Sequence, residues 1–386
     1  MAGPFSIDTF FPSFHAIATQ FSISAWAVQQ TLTVYMLPLS FMSLVQGPLS
    51  DAIGRRRVIV VGLVVYTVAS LGCTLAPTFG TLLMFRAFQG SSVGVGVIVG
   101  RAVIRDLYDG PQAQKLLSLV TMIFAFAPAV APIIGGWIHI TLGWRAVFGF
   151  MATFGFILAA ASYFSLPETH PPERRPALHV PDLARTALRV AGHGEFLLLA
   201  LAMGANFAAI MCFIGAAPRV VTDHWHLSET QFANLFFPVI SGFAIGAWIS
   251  GRMAGRLPGS RQIQVGFSVS LPAGAVTVLL HALVNEPPLL VQQLLLTLMA
   301  IGVQLVGPVL TLRMLDLFPK SRGSAASVQS CVSIVISAIV FGALAPLASD
   351  SMLTLSEASL CAALIGFALW RAAQHRVSFV PRPSTK

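Results

Sequence analysis

Charge is scarce in this chain of 386 residues: 10% are Asp, Glu, Lys or Arg, where a soluble domain carries about 25%. With 56% apolar residues, the composition excludes an ordinary water-soluble fold. Cysteine is scarce too: Cys73, Cys212, Cys331 and Cys361 all fall in apolar runs, with neither zinc-site nor CxxC spacing, which leaves them packing. The lack of a G-x4-GK[ST] run argues against an ATP-driven pump, and neither a G-x-S-x-G elbow nor a zinc-protease motif is present. His15, His139, His224, His226 and His281 show no paired spacing that would suggest a metal. The sequence also lacks the ten-residue alternation of barrel strands, so its apolar runs are read as helices that satisfy their own backbone hydrogen bonds, each needing roughly 20 residues to cross.

What is present is a series of long apolar runs. Eleven spans are predicted, at 27–49, 58–76, 80–100, 115–138, 146–166, 195–215, 232–250, 263–283, 289–311, 325–346 and 353–371. The run 3–14 is apolar but too short to cross. The net charge of +9 sits mostly in alternate connections, on Arg55, Arg56 and Arg57, on Arg105 and Lys115, on Arg174, Arg175, Arg185 and Arg189, and on Arg252, Arg256 and Arg261. Lys320, Arg322, Arg376, Arg382 and Lys386 continue the series, and the other face has only Arg145 and Arg219 near span ends. The positive-inside rule then places the basic loops and the C-terminus in the cytoplasm, and the charge has no call for nucleic acid.

The longest polar interruption, 167–194, is rich in Pro and Arg and reads as a cytoplasmic linker with a short surface helix over 183–191. It divides the chain into an N-terminal transmembrane bundle, 1–166, and a C-terminal one, 195–371, followed by a cytoplasmic tail, 372–386. Five complete spans precede the linker and six follow, whereas transporter repeats usually match. Met1–Phe14 is therefore expected to be the outer end of a first helix whose inner end is missing, with translation starting upstream; no signal peptide can be drawn before Ile7.

Three motifs carry a family resemblance. GPLSDAIGRRRVI at 47–59 resembles the signature loop of the major facilitator superfamily through Gly47, Asp51, Gly54, Arg55 and Arg56. RAFQGSSVGVGVIVGRAVIRD at 86–106 resembles the fourth-helix motif of its drug/proton antiporters through Arg86, Gln89 and Gly90. FAPAVAPIIGGWIHITLGWRAVF at 126–148 resembles their fifth-helix motif through Pro128, Pro132, Gly135 and Gly136. Within the superfamily, IDTFFPSFHAIATQF near the start and GRAVIRDLY resemble the Bcr/CflA bicyclomycin/chloramphenicol exporters. Two departures are Ala52, where the family usually has Arg or Lys, and the loop 251–261, which keeps basic residues without an acidic partner. The resemblance implies an all-α polytopic fold of two six-helix bundles, with the first helix here truncated, cytoplasmic termini, a monomer in the bacterial inner membrane, no cofactor, and a cycle driven by the proton gradient.

The residues themselves suggest roles. Asp8, a carboxylate in an apolar helix, is costly when charged and can load and release a proton as access alternates, unless it merely caps a helix end before Pro12. Arg86 and Arg101, fifteen residues apart and roughly 22 Å along one helix, cannot serve the same point. The resemblance makes Arg86 a candidate partner of the coupling carboxylate. Arg101 either snorkels or joins Asp51, Arg55, Arg105 and Asp106 in a cytoplasmic gate whose ion pairs change with the packing of the halves. Pro128 and Pro132 predict a kink, and Gly135 and Gly136 a close approach, expected to be to Gly242 and Gly246 of the eighth helix. Tyr35, Gln46, Gln89, Phe126, Asn206 and Gln304 are candidates to line a substrate cavity suited to amphipathic compounds.

The primary expectation is proton-coupled export of small drugs or metabolites. Export of one natural metabolite, such as an amino acid, sugar or siderophore, and a membrane receptor or nonfunctional truncated homologue, remain alternatives at this level. The topology predicts that alkaline phosphatase is active when fused after Glu286 and inactive when fused after Lys386; the reverse pattern would invert the orientation.

Overall fold

The computed structural model describes residues 2–108, 110–175, 179–228, 230–319 and 321–379, and every regular element among them is helical. The N-terminal segment is a broken helix: α1 (Ala2–Asp8), a 3-10 turn (Phe11–Ser13) and α2 (Phe14–Phe21). It therefore runs seven residues past the apolar run 3–14, into a polar end containing His15, Thr19 and Gln20. α3 (Ala25–Ile53), α4 (Arg55–Leu75), α5 (Phe79–Val93), α6 (Val95–Leu107), α7 (Gly110–Leu142) and α8 (Trp144–Ser165) complete the first half. After α9 (Val180–Ala191), three residues longer than the expected surface helix, the second half has α10 (Gly194–Gly215), α11 (Ala233–Met253), α12 (Gly259–Leu283), α13 (Leu289–Asp316), α14 (Arg322–Ile339), α15 (Ala345–Ala348) and α16 (Met352–Phe379).

Among the described residues, ten helices are long and apolar enough to cross a membrane, with α5 and α6 joined through Gly94 as one and α14 joined through a π turn to α15 as another. The 33-residue α7 occupies the remaining place in the series. Local chemistry starts several of them. Ser24 accepts a hydrogen bond from the Ala27 amide, and Thr78 with Thr81 forms a capping box at α5. Hydroxyls within the spans bond mostly to their own helix, as Thr67 does to the Leu63 carbonyl and Ser70 to that of Tyr66, so no donor faces hydrocarbon unpaired at those sites.

Each half is a bundle. In the first, α4 packs on α8 and α5, and α3 on α5; in the second, α10 packs on α16, and α13 on both α11 and α12. Large apolar side chains such as Phe41, Val61, Val68, Phe156, Trp248 and Leu279 stay exposed on the outside, the arrangement expected where lipid is the solvent. Two helix pairs join the halves, α3 with α14 and α7 with α11. With the broken N-terminal helix counted first, these are the second with the eleventh and the fifth with the eighth, pairs that exchange when each helix is carried onto the one six places away.

The halves are not joined evenly. On the face away from the basic loops a single core runs through both, bringing together Phe10, Phe11 and Phe14 with Phe213, Phe232, Phe236 and Phe341. The Phe11 and Phe236 rings lie 6.1 Å apart across that seam. Towards the basic face the buried cores are separate, one around Val58, Leu63, Val99 and Ala159, the other around Phe196, Phe267, Met314 and Trp370, with only half-buried Leu44 of α3 reaching the second among the described residues. The molecule is therefore sealed on one face and parted towards the other.

The turn between α3 and α4 depends on Gly54, whose φ of +107° is closed to other residues and where a Cβ would lie 2.6 Å from the Arg175 guanidinium. Gly54→Ala is expected to cost about 1–3 kcal/mol, read as a lower unfolding midpoint in detergent with faster proteolysis of 167–194; an unchanged midpoint would show that the turn tolerates a side chain.

Candidate functional site

Arg86, near the middle of α5, is fully buried. One Nη1 donates to the Ser6 carbonyl of α1 at 3.0 Å and to Gln89 Oε1 at 2.6 Å, and Nε donates to the Thr31 carbonyl of α3 at 3.4 Å. Three rings surround the guanidinium, Tyr35 at 4.3 Å, Phe10 at 4.5 Å and Phe148 at 5.9 Å. The cation is thus held by carbonyl dipoles and ring faces in place of a carboxylate, and Nη2 has no hydrogen-bond partner among the described residues.

A second shell holds these groups in place. Gln89 donates from Nε2 to Ser70 Oγ at 2.7 Å, which fixes its Oε1 towards Arg86. Ser6 Oγ and the Tyr66 hydroxyl share a hydrogen bond of 2.6 Å, and the Tyr35 hydroxyl donates to the Gly3 carbonyl at 3.3 Å. α1 is accordingly tied to α3, α4 and α5 by polar contacts. Asp8 closes α1, is 5% exposed, and forms no ion pair among the described residues. The expected partnership with Arg86 is not made in this conformation, because Arg86 is engaged by the Ser6 carbonyl two residues earlier on the same helix.

The kink motif lies beside this site. Pro128 and Pro132 are inside α7, and Gly135 and Gly136 are buried. A Cβ on Gly135 would overlap the Thr9 carbonyl, so α7 approaches the N-terminal helix where it breaks after Asp8. The expected packing of α7 on the eighth helix, α11, is present, but not through Gly242 and Gly246, which face Thr297, Ala300 and Ile301 of α13. The break in the first helix presents a backbone carbonyl, and only a residue without a side chain can meet it.

On the basic face, Arg55 forms an ion pair with Asp51, another with Asp106 at 3.1 Å, and donates to Ser50 Oγ at 2.5 Å. Its amide donates to Glu168 Oε1 at 2.9 Å, Thr169 donates to Asp106 at 3.0 Å, and Arg175 lies 3.6 Å from Glu168. The sequence reading missed Glu168, Thr169 and Arg175; the signal was an acidic residue just after the span facing the Gly-Arg-Arg turn. All of these pairs stay within the first bundle and the segment after it. Arg56 bonds the Tyr163 carbonyl and stacks on its ring, Arg101 and Arg105 are exposed on α6 outside this cluster, and Gly47 merely touches Ile98. In the second bundle Arg313 pairs with Glu195 at 2.8 Å and Asp316 with Arg322 at 3.0 Å.

The six cavity candidates fare differently. Tyr35 and Gln89 belong to the Arg86 network. Gln46 joins α3 to the Ser91 carbonyl at 2.9 Å, Asn206 joins α10 to the Val303 carbonyl at 3.2 Å, and half-buried Gln304 lies against Gly246. The Phe126 side chain lies outside the described residues. On the face away from the basic loops, His224, His226 and His281 line a cavity of about 420 Å³ with Trp225 and Gln292. No cluster of His, Cys, Asp and Glu able to hold a metal occurs among the described residues.

Arg86→Lys keeps the charge but loses the planar fork that reaches two backbone carbonyls and a side chain. It is expected to cost about 2 kcal/mol, seen as a lower unfolding midpoint in detergent; an equal midpoint would mean that the cage contributes nothing to stability.

Comparison with known proteins agrees with this geometry. The model of the Major Facilitator Superfamily matches residues 1–342. The MFS-type transporter YdgK of Bacillus subtilis is 30% identical over 346 residues, 88% of this chain and 84% of that protein. A bicyclomycin resistance protein homolog of Haemophilus influenzae is 30% identical over 274 residues, 71% of this chain and 69% of its own. Among solved structures, a bacterial homolog of the human lysosomal transporter Spinster, inward-facing and unoccupied, superposes with a TM-score of 0.69 at 16% identity, covering 99% of this chain and 97% of that one. The peptide transporter POT bound to alafosfalin gives 0.72 at 12% identity, covering 97% and 93%.

Proposed function

The chain belongs to the Major Facilitator Superfamily and is a secondary transporter, and from that premise we propose that it exports small amphipathic organic compounds in exchange for protons. The observation that carries the proposal is the pairing of unlike needs on α1: a buried carboxylate, Asp8, two residues from the carbonyl that holds the buried Arg86. Neither charge is neutralised by the other in this conformation. A rearrangement of α1 between the two states exchanges the Ser6 carbonyl for the Asp8 carboxyl group at the guanidinium, and that carboxylic acid then gives up its proton. Competition between proton and Arg86 for Asp8 couples proton access to the position of the helix, and Gly135 of the kinked α7 gives that helix a bearing surface. The seal on one face and the parting towards the other fit one end of an alternating cycle.

The remaining assignments rest on the same reading. The protein sits in the bacterial inner membrane as a monomer with the basic loops and C-terminus in the cytoplasm, so the parted face is the cytoplasmic one. The bundles are 1–166 and 195–371, joined by the linker 167–194 and followed by the tail 372–386. The Asp51–Arg55–Asp106 cluster, with Glu168, locks the inner ends of the first bundle as a gate element. The bicyclomycin-resistance name of the Haemophilus relative favours drugs of the bicyclomycin type as substrates.

The test is proton movement in proteoliposomes under an imposed pH gradient, with chloramphenicol, bicyclomycin, sulfonamides and cysteine as compounds. Compound-dependent flux that falls at least about tenfold in Asp8→Asn is expected, a loss of about 1.4 kcal/mol or more in coupling. Flux that survives the substitution would remove Asp8 from the mechanism. Flux with cysteine alone would favour a metabolite exporter, and silence with every compound would overturn drug antiport.

A further inference from the structure

The seal on the face away from the basic loops contains two polar contacts that the aromatic core does not require. Gln29 and Gln30 are neighbours in the first turns of α3, and both reach across the seam to the second bundle. Gln29 Nε2 donates to the Gly215 carbonyl at 3.2 Å, and Gln30 Nε2 donates to the Gly342 carbonyl at 2.8 Å. Neither acceptor is an ordinary mid-helix carbonyl. Gly215 is the last residue of α10, where carbonyls run out of helical donors. Gly342 lies in the π turn Val340–Leu344, and the residue four places on, which would supply its amide in an α-helix, is Pro346, which has none.

The backbone is also shaped for the contact. A Cβ on Gly342 would overlap the Thr33 hydroxyl, so the π turn comes close to α3 with the Thr33 side chain seated where a side chain of residue 342 would lie. Gln29 is 5% exposed, yet its Oε1 has no hydrogen-bond partner among the described residues. That atom regains water only when the seam opens, so the contact holds the seal while carrying a built-in reason to release it.

We infer that Gln29 and Gln30 are a latch on the sealed face, a side-chain-to-backbone clamp that fixes the closed end of the alternating cycle by gripping two helix irregularities of the opposite bundle. The inference rests on the secondary-transport reading for the existence of a second, oppositely opened state, and not on which compound or ion is carried. The Gln30 bond is the stronger half, since it is shorter and its acceptor has lost its α-helical donor to proline. Removing either bond favours the state open on that face by about fivefold, and removing both by more.

The experiment measures distances between spin labels in the full chain with its four cysteines replaced. One label pair, Ser24→Cys with Asp223→Cys, spans the sealed face; another, Arg57→Cys with Arg261→Cys, spans the basic face. Gln30→Met keeps length and removes the donor. Pro346→Ala attacks the same bond from the other side by offering Gly342 a helical donor. Both are expected to move population to longer distances in the first pair and shorter ones in the second, whatever the outcome of the proton-flux assay. Distributions unchanged from the parent in both variants would overturn the latch. Widening of both pairs together would overturn it as well, because the bond would then be a general support of the interface and not a gate.

Discussion

A buried guanidinium without a buried carboxylate beside it is the constraint from which much of the first bundle follows. Arg86 must be satisfied by groups that do not themselves carry charge, and in an apolar interior those are backbone carbonyls and ring faces. Taking a carbonyl from α1 fixes that short helix against α5, and taking another from α3 fixes the second neighbour. Gln89 and Ser70 orient the one side chain involved, and Tyr66 secures Ser6 from the far side. The broken N-terminal segment is held by this network at α1 and, beyond the break, by burial of Phe10, Phe11, Phe14 and Ile17 in the aromatic core.

The same logic separates what is fixed from what can move. Inside each bundle the helices pack along their lengths, with close glycine contacts such as Gly242 and Gly246 against α13. Between the bundles, the main contacts among the described residues are two helix pairs and one aromatic core near a single face. Rings that meet at about 6 Å, as Phe11 and Phe236 do, supply area without directional bonds and can slide or part at modest cost. Direction comes from backbone irregularities: the break after Asp8, the turn at Gly54, the end of α10 and the π turn at 340–344.

The charged cluster at the inner end of the first bundle has a different character. Arg55 is shared among Asp51, Asp106 and Ser50, while Glu168 takes its amide and meets Arg175. Each pair is partly exposed, and an isolated exposed pair contributes about 1 kcal/mol or less. Their combined effect is geometric: one tight turn, the end of α6 and the start of the linker become a single unit, which moves as a body if the bundles rock.

The sequence by itself determined the class of molecule. Long apolar runs, the charge asymmetry of the loops and three spaced motifs are one-dimensional properties, and they set the helical membrane fold, the approximate spans and the residues of interest, with Asp8, Arg86 and Arg55 among them. It could not say which groups meet. Helical periodicity gives a residue a face but not a partner, and where lipid is as apolar as the core, hydrophobicity does not sort inward from outward faces. So Gly135 meets the chain break at Thr9, Gln46 and Asn206 tie neighbouring helices, and Glu168 joins a cluster that its position in a polar linker concealed. Gln29 and Gln30, plain polar residues in an apolar run, take on meaning only because the tertiary structure sets a helix end and a proline-freed carbonyl within their reach.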